Sequence, residues 1–142
     1  MATYPIQEKA GGKPVVMVPL IVYSDDLSGN RTKKWNCFNA WSILLAGLPK
    51  SINAQVQNIH LLSASNKVSH LSMLEPIVED FMVLQNGVHM FDALLCCEVL
   101  VYAPVLACIC DNPRASEIVG HLRGYPNAFC RLCPVRSFLY IS

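Results

Sequence analysis

VVMVPLIVYSDDLSGN, residues 15–30, poses the question on which the fold turns. Residues 15–23 are rich in Val, Leu and Ile and predict a strand, with Pro19 favouring a bulge or an edge. The strand runs into two adjacent carboxylates, Asp25 and Asp26, and then a Gly29-Asn30 turn. Acids in that position are either solvated turn residues or metal-binding groups carried to the edge of a sheet. The rest of the chain must separate these readings.

Downstream, residues 35–45 form a second apolar run, broken by Gly47 and Pro49, and residues 55–62 alternate loosely as a third strand. Three strands joined by short turns predict an antiparallel meander. The period then changes. Leu71, Leu74, Ile77, Val78 and Phe81 recur at helical spacing, and Gly87 is the expected stop. Ser72 and Glu75 fit a capping box, but Pro76 would cost an internal hydrogen bond, so a start at Pro76 itself is also open.

VLVYAPVLACIC, residues 99–110, comes next and reads as a buried strand or core helix. Twelve residues are too few to span a bilayer, and Pro104 interrupts them. No membrane span, and no membrane partner, is therefore expected. Asn112 suits an N-cap and Pro113 the first helical position, so a helix should start there and end at Gly124. Asp111 thus falls at a strand-to-helix junction.

Composition sets outer bounds. The chain has 142 residues, enough for one compact domain. It is 53% hydrophobic and 15% charged, with a net charge of +1, so any nucleic-acid or membrane attraction must come from a local patch. Residues 1–13 read as a loose lead-in without the apolar core of a secretory signal. Seven cysteines without a disulfide framework point to a reducing compartment, nucleus or cytoplasm. Cys37, Cys96, Cys97, Cys108 and Cys110 sit among apolar neighbours and read as small hydrophobes.

Strand, strand, strand, helix, long buried strand, helix is the order of the front half of an RNase H-like fold. In that arrangement the first and fourth strands lie side by side, and their ends would bring Asp25 or Asp26 to Asp111. Converging carboxylates need a cation between them, and hard oxygen ligands favour magnesium or manganese. Two such ions can activate a hydroxyl and stabilise a leaving oxygen in phosphoryl transfer.

DDLSGNRTKKWN at residues 25–36 resembles the "DD-V-SGN-xS-KxWN" signature of transposase-like proteins encoded by fungal transposons of the KDZ type, relatives of the CACTA transposases. CDNPRASEIVGHL at residues 110–122 resembles their "GDNPMQSE…SHxG" segment, and AFCRLC at 128–133 their "YFCRxC". LPKSINAQ, SASN and MLEPIVE fall in the family's order. The resemblance covers about residues 14–136. It implies a catalytic core of the DDE/D type, which cuts and joins DNA with two divalent metals. Asp25, with Asp26 beside it, would be the first acid and Asp111 the second.

The departures are specific. The family's third acid lies beyond a zinc-bearing insertion, and neither Glu98 nor Glu117 sits where it belongs. Cys37 stands where Lys is commoner, and Cys110 where Gly usually precedes the Asp. The expectation is a transposase fragment, inactive in DNA cleavage on its own. Its alternatives are a domesticated binding module without enzymatic activity, or a small membrane-associated protein resting on the run at 99–110.

His121, Cys130 and Cys133 make three of the four ligands of a structural zinc site, a partial site at most. Ordinary thiols with a helix-end histidine are the competing reading. The resemblance places the start of the metal-binding insertion here, at residues 125–142, after a core at 14–124. Arg31, Lys33 and Lys34, interleaved with Trp35, are candidate DNA-phosphate contacts or simply a solvated turn. A sheet left partly uncovered would also favour self-association.

Overall fold

The computed structural model describes residues 5–26 and 38–120. It divides into two compact units, Met1–Ile109 and Cys110–Ser142. Among the described residues the chain is mixed α/β, with four α-helices, seven strands and two mixed sheets.

The apolar run at 15–23 is not one strand. It yields β1 (Val15–Met17) and β2 (Leu20–Asp26), parted at Val18-Pro19. The run at 99–110 divides in the same way, into β6 (Cys97–Tyr102) and β7 (Val105–Cys110), parted at Ala103-Pro104. In both cases the proline lacks the N–H that a continuous ladder needs. The two broken segments run side by side. Val15, Val16 and Met17 pair in parallel with Leu100, Val101 and Tyr102. The Val18 N–H then donates to the Tyr102 carbonyl at 2.8 Å, and the Leu20 N–H to the Pro104 carbonyl at 2.9 Å. One parallel ribbon therefore feeds both sheets.

The first sheet has the order β1-β6-β5, where β5 is Val88–Asp92 and pairs antiparallel with β6. The second has the order β4-β3-β2-β7, with β3 at Asn39–Leu45 and β4 at His60–Ser65. The pairs β2–β3 and β3–β4 are antiparallel, so the expected meander is present. Its third strand starts later than expected, because Val56–Asn58 form a 3₁₀ turn.

Along β2, buried Leu20, Val22 and Ser24 alternate with the more exposed Ile21, Tyr23 and Asp25, the two-residue period of a strand. Trp41, opposite Ser24, is fully buried, and its indole N–H donates to the His70 carbonyl at 3.1 Å. His70 opens α3 (His70–Asn86), which packs on β3 and β6 and buries Met73 and Ile77. The helix begins a turn earlier than the expected start at Ser72 or Pro76. Ser69 is the N-cap, its Oγ accepting from the Ser72 N–H at 3.1 Å, and Pro76 lies inside the helix. Burial of Met73 and Ile77 favours carrying the helix across the bond that Pro76 removes.

Residues 1–13 are likewise more than a loose lead-in. Pro5–Ala10 form α1, Ala10 is buried, and the Lys9 ammonium donates to the Asn86 carbonyl at 2.6 Å, at the C-terminus of α3. The short helix α2 covers Lys50–Asn53.

β7 corrects the expected buried fourth strand. Val105, Leu106 and Ile109 are exposed. Cys96 and Cys108 are exposed too, and Cys97 and Cys110 half-buried, so these thiols are not the core hydrophobes that their neighbours suggested. Cys37 lies outside the described residues.

Gly87 ends α3 at φ +84°, and a Cβ there would meet the Ile6 side chain at 3.1 Å and Leu100 at 3.2 Å. Gly87→Ala is therefore expected to destabilise the chain by at least about 1 kcal/mol, read from urea denaturation. An unchanged midpoint would contradict the docking of α1 against this corner.

Candidate functional site

Asp25 and Asp26 are the last two residues of β2, opposite Ala40 and Asn39 of β3. Strand alternation puts them on opposite faces, Asp25 with Tyr23 and Asp26 with Ser24. Their carboxylates have different partners. Asp26 Oδ1 accepts from the Phe38 N–H at 3.0 Å, tying the two flanks of segment 27–37 together. Asp25 Oδ2 accepts from the Tyr23 hydroxyl at 3.2 Å, and its Oδ1 from the Asp26 N–H at 2.8 Å. Asp26 thus links the end of β2 to the residue before β3. Asp25 instead has a side-chain partner that orients it.

Between them in the alternation lies Ser24, almost fully buried, with its hydroxyl unpartnered among the described residues. Tyr23 and Ser24 are the residues that the motif reading passed over. For Tyr23 the available signal was its i, i+2 spacing from Asp25 on a strand.

Asp111 belongs to the second unit and caps α4 (Asn112–Ile118). Its Oδ1 accepts from the Arg114 N–H at 2.8 Å. This moves the expected cap from Asn112 to Asp111 and Pro113 to the second helical position. A carboxylate is an acceptor as good as the Asn amide and gains from the helix dipole. The helix stops well before Gly124, because Gly120 takes up φ +67° just beyond it. Arg114, mostly buried, faces Glu117 at 3.7 Å.

Asp25 and Asp111 each have lone pairs beyond the bonds described, since a carboxylate offers about four acceptor sites. The donors are hard oxygens, and such sets fit magnesium or manganese. Among the described residues no three His, Cys, Asp or Glu side chains are grouped to hold a metal. His121, Cys130 and Cys133, the candidate zinc ligands, lie outside the described residues. So do Arg31, Lys33 and Lys34, the candidate DNA contacts.

Elsewhere, an open cleft is lined by Pro5, Ile6, Lys9, Gln85, Asn86 and Tyr102. Its one charge, Lys9, is the group already bonded to Asn86, which leaves no evident reactive group. Among the described residues no helix is long and apolar enough to cross a membrane.

No protein family, curated protein or solved structure matches the chain.

Proposed function

We propose that the chain is part of a DNA transposase core of the DDE/D type, built on an RNase H-like sheet. The observation that carries this reading is the strand order β4-β3-β2-β7, with β2 ending on the paired acids. An RNase H-like core likewise sets its fourth strand beside its first, and here the Leu20–Pro104 bond starts β2 and β7 at the same level. The motifs at 25–36 and 110–122 support the same assignment.

In this reading Asp25 and Asp111 are cation-binding acids, and Asp26 fixes the β2–β3 connection. A bound magnesium or manganese would supply an activated hydroxyl and stabilise a leaving phosphate oxygen. The protein's own part is to hold the carboxylates oriented, Asp25 through Tyr23 and Asp111 through the first turn of α4. DNA is the proposed partner, met by Arg31, Lys33 and Lys34, and zinc the proposed ligand of His121, Cys130 and Cys133. Exposed Leu61, Leu106 and Ile109 support self-association through uncovered sheet surface.

A domesticated binding module is the second reading. It is favoured by one observation, that all three acids already accept hydrogen bonds from their own chain. The run at 99–110, which prompted a membrane alternative, is divided between β6 and β7.

Manganese titration followed by calorimetry tests the first reading against the second. Weak binding is expected, because magnesium-like cations hold their waters unless several carboxylates converge. Asp25→Ala and Asp111→Ala should each abolish it, whereas Asp26→Ala should reduce it less. Equal binding by all four proteins would favour the binding module.

A further inference from the structure

The β5–β6 hairpin carries an apolar tip that neither the sheet nor the acids require. Its turn, residues 93–96, reads Ala-Leu-Leu-Cys, with no charge. Leu94 is 91% exposed, Leu95 52%, and Phe91 beneath them 67%. A side chain exposed to that degree projects from the surface and does not line a groove.

Two amides and the thiol of the turn are bonded within it. Asp92 Oδ1 accepts from the Leu94 N–H at 2.8 Å and the Leu95 N–H at 3.0 Å. The Cys96 thiol donates to the Ala93 carbonyl at 3.4 Å, and Cys96 adopts φ +51°, uncommon for a residue with a side chain. Glu98, paired across the ladder with Phe91, is held by Lys13 at 2.5 Å. That hydrogen bond, with the charge of Lys13, lowers the carboxyl's pKa. The acids nearest the tip are therefore both engaged, one by backbone amides and one by an ammonium.

We propose that this tip inserts shallowly into the apolar boundary of a lipid bilayer. Backbone donors entering lipid must be satisfied internally, and the Asp92 carboxylate does so for the Leu94 and Leu95 amides. A protein partner would be expected to add directional contacts at the centre of its interface, and the Leu94 and Leu95 amides, already bonded to Asp92, have none to offer. A fluid apolar phase asks only for projecting apolar side chains. Insertion of this kind is independent of the transposase assignment and of the run at 99–110.

Flotation of the full chain with phosphatidylcholine vesicles tests the proposal, because aggregated protein stays at the bottom of the gradient while bound protein rises. Wild type is expected to float. Leu94→Asp and Leu95→Asp should each lower the floating fraction roughly tenfold or more, the scale of burying one leucine side chain. Leu94→Ser with Leu95→Ser, gentler at an exposed turn, should do the same. Val56→Asp, 84% exposed on the 3₁₀ turn, should leave it unchanged. Salt at about 0.5 M should also leave it unchanged, since screening acts on charges and residues 93–96 carry none. Wild type remaining at the bottom, a tip variant floating like wild type, or Val56→Asp matching the tip variants would each overturn the proposal.

Discussion

Trp41→Ala is expected to remove about 3–5 kcal/mol of stability, the cost typical of deleting a buried tryptophan side chain. Small domains are stable by only about 5–15 kcal/mol, so this one change should leave a substantial unfolded population. Two losses combine at the site. The cavity opens between β3 and the first turn of α3, where Trp41 is fully buried opposite Ser24. The His70 carbonyl also loses the indole N–H. Trp41→Phe separates the two, keeping most of the volume and removing the donor, and should cost about 1–3 kcal/mol. Urea denaturation of the three proteins reads both numbers. A Trp41→Ala cost below about 1 kcal/mol would mean that the helix does not rest on this residue.

The second large effect concerns DNA. If Arg31, Lys33 and Lys34 each neutralise one phosphate, the logarithm of the affinity should fall with slope of about −2.7 against the logarithm of salt concentration. Raising salt from about 50 to 200 mM then weakens binding roughly 40-fold. Replacing all three by alanine should flatten that slope toward zero, and neither Asp25→Ala nor Asp111→Ala should alter it. Fluorescence anisotropy with a labelled duplex measures this directly. In the same tubes, with manganese present, the chain is expected to leave the duplex uncut, because in the proposed reading two carboxylates stand where a DDE/D core uses three. Metal-dependent cutting that both aspartate variants abolish would show that two acids suffice. A salt-insensitive interaction would remove the basic segment from the DNA reading.

The meander and α3 were legible because each rests on a local period: alternation along β2, and helical spacing from Leu71 to Phe81. Asp25 and Asp26 at a strand end were legible for the same reason. The errors share a different cause. Pro19 and Pro104 announce a missing ladder bond, but nothing local says that the halves on either side enter different sheets. That choice depends on partners far along the chain. β7 was misjudged because apolar composition reports what a strand could bury, not what is there to cover it. Ser69 was passed over in favour of Ser72, since selecting between two nearby caps depends on where Met73 and Ile77 find packing. At the candidate site, Asp111 was recognised as junctional while its capping role went to Asn112, a neighbour with nearly equal propensity. The hairpin tip gave no signal, because Leu-Leu-Cys-Cys in a sequence looks like core.

The parallel ribbon has a consequence in time. Val15 must wait for Leu100, a partner 85 positions later. At synthesis rates of about 5–20 residues per second, that is a delay of roughly 4–17 s. In that interval β2, β3 and β4 can pair among themselves, since their partners lie close in sequence. β1 has no sheet to join, and β2 keeps one edge open until β7 arrives. The nascent chain therefore passes through a stage with an unpaired, largely apolar strand edge, the condition under which a chaperone has most to bind and a neighbouring ribosome's product most to capture.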